Sequence, residues 1–188
     1  MLKRISILAI VVIFLLLLQI QCNLIDFGGG TIFVTATFDQ VFFVNSASTS
    51  YIEMETINLA DVFDDAGINP AEVGAVNLVE FEIIVLRNGT GSGTTASGEI
   101  LFTESGTSAS STVLAAFTNI NLNTVLNNPI TPFNYSGLMN TSGVTAFKAL
   151  ATQMPPPSID FLLAGTVNSP PVDFDARVRI VLQVRVEE

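Results

Sequence analysis

Between positions 61 and 72 stand Asp61, Asp64, Asp65, Asn69 and Glu72, the densest group of oxygen-bearing side chains in the sequence. A calcium ion takes about six to eight oxygens, and a segment of this composition supplies several of them. The spacing is not that of an EF-hand, and acids beside short helices also serve as caps and dipole partners. Asp61, Asp64 and Asp65 are therefore the metal candidates, with calcium as the ion and no other cofactor expected. Glu80 and Glu82 form a second carboxylate pair. Glycoside hydrolysis needs two acids facing each other across a cleft, whereas residues two apart on a strand share one face. A solvated pair is the expectation there.

Other catalytic chemistries fail on composition. The 188 residues contain no His, which removes Ser-His-Asp and Cys-His nucleophile activation, HExxH zinc sites and every imidazole ligand. Cys22 is the single cysteine, so the chain has no intrachain disulfide and no CxxC metal site. Trp is absent, which weakens the case for a sugar-stacking platform. Asn88-Gly89-Thr90, Asn134-Tyr135-Ser136 and Asn140-Thr141-Ser142 fit the N-glycosylation pattern, which a chain rich in Asn, Ser and Thr also contains by chance. No catalytic residue is expected, and the chain reads as non-enzymatic.

The most legible stretch is the first twenty-two residues. Lys3 and Arg4 give a basic start, Ile5 to Leu18 is almost unbroken aliphatic, and Gln19, Ile20, Gln21 and Cys22 follow. These are the three parts of a secretory signal. Fourteen helical residues span about 21 Å, short of the roughly 30 Å hydrocarbon core, so a removed signal fits better than a spanning helix. A lone cysteine just after the apolar run resembles the bacterial lipoprotein signal, in which that cysteine becomes the acylated first residue of the mature protein. The resemblance rests on Met1 to Cys22 alone. Gln19 and Gln21 stand where the usual pattern has an aliphatic residue and a small one. The resemblance implies lipidation at Cys22, export, and attachment to a membrane of the bacterial cell envelope through the N-terminal lipid. An ordinary secretory signal, giving a secreted soluble protein, and an uncleaved anchor are the alternatives. Two or three acyl chains hold a protein durably, since each buried CH₂ contributes about 0.8 kcal/mol.

Residues 23–30, with Gly28, Gly29 and Gly30, read as a short flexible tether. No lysine or helix start follows the glycines, so they are not a phosphate loop. Beyond the leader, five basic residues stand against all seventeen acidic ones, a formal charge of −12. So negative a surface repels nucleic acid and keeps an exported protein soluble. Nucleic acid is excluded as a partner; a protein or a glycan remains.

Ile32, Val34, Ala36 and Phe38 alternate with polar or outward residues, and Val41 to Val44 resumes after Asp39-Gln40, as one interrupted strand or two short ones. Tyr51 to Asn58 places Ile52 and Met54 on one face and Glu53 and Glu55 on the other. A helical turn over Leu59 to Gly67 and a compact helix start at Asn69-Pro70-Ala71-Glu72 follow. Val76 to Arg87 reads as a long strand with Val79, Phe81, Ile83 and Val85 as its core face. Asn88 to Gly98 is expected as a flexible connection, too polar and glycine-rich to pack. Glu99–Glu104 and Thr112–Thr118 suggest a hairpin projecting from one edge. Asn119 to Asn128 reads as a strand edge or surface segment, and Pro129 to Gly137 as a loop. Ser142 to Thr152 is the best helix after the leader, capped by Ser142, with Val144, Phe147, Leu150 and Ala151 on its stripe. Ser158 to Val167 is an apolar strand. In the last strand, Phe174, Ala176, Val178, Ile180, Leu182, Val184 and Val186 hold one face, opposite Arg177, Arg179 and Arg185. Glu80 and Glu82 offer acidic partners to those arginines across the solvent face.

About seven or eight strands with one or two short helices predict an all-β chain folded as an antiparallel β-sandwich over residues 31–188. A partly closed β-barrel is the alternative. The functional expectation is an exported, lipid-anchored β-sandwich with a non-catalytic binding or structural role; a secreted carbohydrate- or calcium-binding module is the alternative.

Overall fold

The computed structural model describes residues 25–26 and 32–187. The leader and Cys22 lie outside the described residues. Within the stretch read as a tether, Ile25–Asp26 (β1) pair with Phe33 and Ile32.

The long strands are β2 (Ile32–Ser46), β3 (Ser50–Asn58), β4 (Val73–Asn88), β5 (Thr95–Glu104), β6 (Thr112–Asn121), β7 (Ser158–Val167) and β8 (Val172–Val186). Two short helices interrupt them, α1 (Leu59–Asp65) and α2 (Thr141–Ala151), together with a 3₁₀ turn at Pro70–Glu72. The strands form two antiparallel sheets, sheet A in the order β1-β2-β8-β4 and sheet B in the order β3-β7-β5-β6. No ladder joins the sheets among the described residues. The fold is a β-sandwich, not the alternative barrel.

Pairing is nested: β2 lies against β8, β3 against β7, and β5 against β6. The fourth pair is β4 with residues 125–130, which are not a named strand. Ile83 and Ile130 exchange backbone hydrogen bonds of 2.9 and 2.7 Å, and the Asn127 N–H donates to the Val85 carbonyl at 2.8 Å. First with last, second with second-last and so inward is the order of a jelly roll. Sheet B is extended likewise, where the Ala116 N–H donates to the Leu138 carbonyl and the Asn140 N–H to the Leu114 carbonyl. Both sheets are thus covered along the β4 and β6 side.

The hydrophobic core fills the space between the sheets. Even-numbered residues of β8 from Val172 to Val184 are all buried, because this strand lies between β2 and β4. β2 is one continuous strand whose parity passes unchanged through Asp39-Gln40, so Ala36, Phe38, Phe42 and Val44 face inward and Phe43 outward. In β4 the predicted core face holds for Phe81, Ile83 and Val85 but fails at Val79, which is 55% exposed. A bulge between Leu78 and Glu80 reverses the side-chain parity there, so Val76 points inward before it and Phe81 after it. β3 turns Tyr51 and Ile57 inward and leaves Ile52 and Met54 65% and 59% exposed.

Three further expectations are corrected. Thr95 to Gly98, read as part of a loop, is the first part of β5, and Ala96 is buried. Strands β5 and β6 form half of sheet B rather than a projecting hairpin. The cap of α2 is Asn140, whose side chain accepts from the Gly143 N–H at 2.9 Å; Ser142 lies inside the helix. From this helix Phe147 enters the core edge-on to Phe102, at 5.4 Å between ring centroids, and packs against Phe161.

Candidate functional site

Asp61, Asp64 and Asp65 lie on α1 and are exposed. The helix forms because Asn58 caps it, its side chain accepting from the Ala60 N–H at 3.1 Å, while Leu59 and Phe63 bury one side. Asp61 occupies the first turn, where a negative charge complements the helix dipole. Asn69 caps the following 3₁₀ turn and donates to the Glu72 carboxylate at 2.8 Å, so both residues are engaged with each other. Among the described residues no three His, Cys, Asp or Glu side chains converge as a metal site. The oxygen-rich segment serves as helix termini.

The charged side chains come together elsewhere, on the outer face of sheet A. Strand register places Asp39, Arg179 and Glu82 in one row and Phe43, Asp175 and Arg87 in another. Arg179 binds Asp39 through two hydrogen bonds, from Nε at 2.8 Å and Nη2 at 3.1 Å. Glu82, 9% exposed, receives Arg177 at 3.5 Å and Arg179 at 3.7 Å. Arg87 grips both Asp173 and Asp175, with four hydrogen bonds between 2.6 and 2.9 Å. Arg185 pairs with Glu187. The Arg179 guanidinium holds the Asp39 carboxyl below the ordinary carboxylate range, and Arg87 does the same to Asp173.

This lattice has a clear chemical meaning. Each of the four arginines faces a carboxylate, so none is presented as an anion receptor. Glu82 faces cations rather than a second acid, and Glu80 shares its strand face, which is not the arrangement of a glycosidase pair. The partnership of β8 with Glu82 was legible from alternation. Asp39 and Asp173 as partners were not, because alternation within a strand does not say which strand lies beside it or in what register.

The interior offers little room. An apolar void of about 20 Å³ lies between the sheets, lined by residues including Val85, Phe117, Ile130, Leu163 and Phe174. It is about the size of one water probe and has no polar wall, so it stays dry. Beside it Tyr51 stacks edge-on to Phe174 at 5.4 Å, and burial pushes its phenol well above the ordinary range. An open groove of about 460 Å³ runs along β4 past Val79 to Phe133.

The Asn-rich stretch makes turns. Asn119 and Asn127 take left-handed φ values of 56° and 55°, which Asn tolerates better than most residues. The Asn121 side chain accepts from the Asn123 N–H at 2.9 Å. The three acceptor-pattern asparagines are also engaged: Asn88 donates to Asn123, Asn134 to the Pro129 carbonyl, and Asn140 caps α2.

No family model matches the chain, and no curated protein matches it. Among solved structures, a chain from turnip yellow mosaic virus is similar at 8% identity and a TM-score of 0.37, covering 84% of this chain and 95% of that one. A chain from desmodium yellow mottle tymovirus is similar at 11% identity and a TM-score of 0.34, covering 86% and 91% respectively.

Proposed function

We propose that this chain is an exported protein held to a membrane of the bacterial cell envelope by a lipid on Cys22, with a non-catalytic binding or structural role. The observation that carries the reading is the leader: a basic start, fourteen residues of apolar run and a single cysteine just beyond it. Two further features support it. Ile25, three residues after Cys22, already belongs to β1, which pairs at the Ile32 end of β2. That is the end of sheet A where Val186 and Val73 also lie, so a lipid on Cys22 would set this end against the bilayer. The turns at 46–50, 88–94 and 168–171 occupy the opposite end and would face outward. Those turns are joined by backbone and Asn contacts, such as the Asn168 side chain accepting from the Thr95 N–H at 3.0 Å. A rigid polar end facing away from a membrane suits docking or scaffolding.

The non-catalytic part of the proposal is supported by the lack of any His and by the pairing of acids with arginines rather than with each other across a cleft.

Metabolic labelling with a fatty acid tests the anchor. The full chain expressed in a bacterial host is expected to take up label and to sediment with the envelope, and Cys22→Ala is expected to lose both. Equal labelling of the two, or none in either, would end the lipoprotein reading.

A further inference from the structure

The two outer faces of the sandwich differ in kind. Sheet A presents Asp39, Glu80, Glu82, Arg87, Asp175, Arg177 and Arg179. On sheet B the outward charges among the described residues are Glu99 and Asp160, and Asp160 is hydrogen-bonded by the Thr56 hydroxyl at 2.6 Å. The rest of that face is uncharged, apolar residues alternating with Ser, Thr and Asn. Register aligns Met54, Leu162, Leu101 and Val113 into one apolar row that crosses all four strands. Ile52 and Ala164 lie beside it. Inward neighbours on the same strands fill the core, so this is a second apolar surface on strands already buried on one side.

We infer that the outer face of sheet B is a self-association surface, on which a second copy of this chain packs sheet against sheet. Charge identifies the occupant. Residues 23–188 carry a formal charge of −12, so two copies repel each other wherever their acidic surfaces meet. This nearly uncharged face is where they approach at least cost. Symmetry agrees. A two-fold axis lying along the apolar row sets Leu101 over Leu101 and Leu162 over Leu162, apolar on apolar throughout. The same axis places Glu99 of one copy over Thr103 of the other, one strand from Asp160, and Asp160 over Ala164, so no charge lies directly over a like charge. Area is sufficient. Four strands about 4.8 Å apart and roughly 30 Å long give about 600 Å² per copy, or about 1,200 Å² in all, the low end of a specific interface. Pairing through the free edge of β3 is disfavoured, because Glu53 and Glu55 point inward along it and an added strand would bury them further.

Sedimentation velocity on the full chain in detergent tests this, in a Cys22→Ser background so that neither lipid nor disulfide joins copies. The protein mass per particle is expected to be twofold that of one chain at about 100 µM, as suits a small interface. Leu101→Arg is expected to reduce it to one chain, while Thr37→Arg on the outer face of sheet A leaves it twofold. Ile52→Lys, at a position 65% exposed, is the second variant, and circular dichroism checks that each remains folded. A single-chain mass for the parent overturns the inference. So does a dimer that survives both Leu101→Arg and Ile52→Lys, as one held by the leader in the micelle would, or one that Thr37→Arg dissociates.

Discussion

A methyl group added at Gly165 would lie 2.2 Å from the Ser97 carbonyl oxygen and 2.6 Å from the Tyr51 hydroxyl. At Gly98 it would lie 2.7 Å from the Ala164 carbonyl and 2.8 Å from the same hydroxyl. The two glycines are register partners on the inward face of sheet B, and the Tyr51 ring fills the room they leave. The hydroxyl itself contributes little, since it donates to the Ser97 carbonyl over a long 3.4 Å. Backbone spacing, not the phenol, is therefore what this corner depends on. Gly165→Ala is expected to cost about 1–3 kcal/mol as an overpacking change, and Tyr51→Phe less than about 1 kcal/mol, both read from urea unfolding. Equal costs would mean that the strands separate easily and the tight approach is incidental. This corner was illegible in the sequence for a physical reason. Gly98 ends a glycine- and serine-rich stretch whose composition suits a solvated loop, and nothing local signals that a tyrosine from β3 needs the space.

At the level of elements, legibility followed position in the sheets. β8 has neighbours on both sides and one buried face, so its alternation is unbroken and its residues could be assigned without the structure. β3 is an edge strand, where two inward glutamates and two outward apolar residues invert the usual pattern. β4 contains bulges, and each one moves the core face to the other parity. The apolar stripe marks helix α2 in the sequence, whereas its cap lies two residues before the Ser142 expected there. Gly143 explains its seating: a side chain there would lie 1.9 Å from the Val113 carbonyl oxygen, so only glycine lets the first turn rest on β6. Asn140 therefore bears two duties, capping the helix through Gly143 and donating its own N–H to the Leu114 carbonyl. Asn140→Ala removes only the first. It is expected to lower stability by about 0.5–2 kcal/mol in urea unfolding, with Asn140→Ser or Asp recovering most of the loss. A variant as stable as the parent would show that the backbone bond alone holds the helix start.

The whole molecule is organised by pairings between distant segments, and these leave no local trace. β2 meets β8 and β3 meets β7 across more than a hundred residues, so strands were readable while their nesting was not. The same topology governs the response to acid. Residues 23–188 hold seventeen carboxylates against five cations, so most acids have no cationic partner and oppose compactness. Ordinary carboxylates take up protons only as the pH approaches about 4, so little charge is lost between about pH 7 and 5. Asp39 and Asp173 behave differently, because Arg179 and Arg87 hold their carboxyls below the ordinary value of 3.8. A carboxyl whose folded value is depressed contributes stability above its unfolded pKa of about 3.9, and that contribution is lost as pH falls through the folded value. Stability is therefore expected to hold down to about pH 4.5 and to fall below about pH 4. Urea midpoints taken across that range check the shape. Asp39→Asn is expected to be less stable at neutral pH, because Arg179 keeps only a neutral acceptor on that side, and to fall less steeply below about pH 4. A parent curve that declines steadily from neutrality would point to other groups as the governing term. An unchanged acid limb in Asp39→Asn would remove the strand-crossing pair from the account.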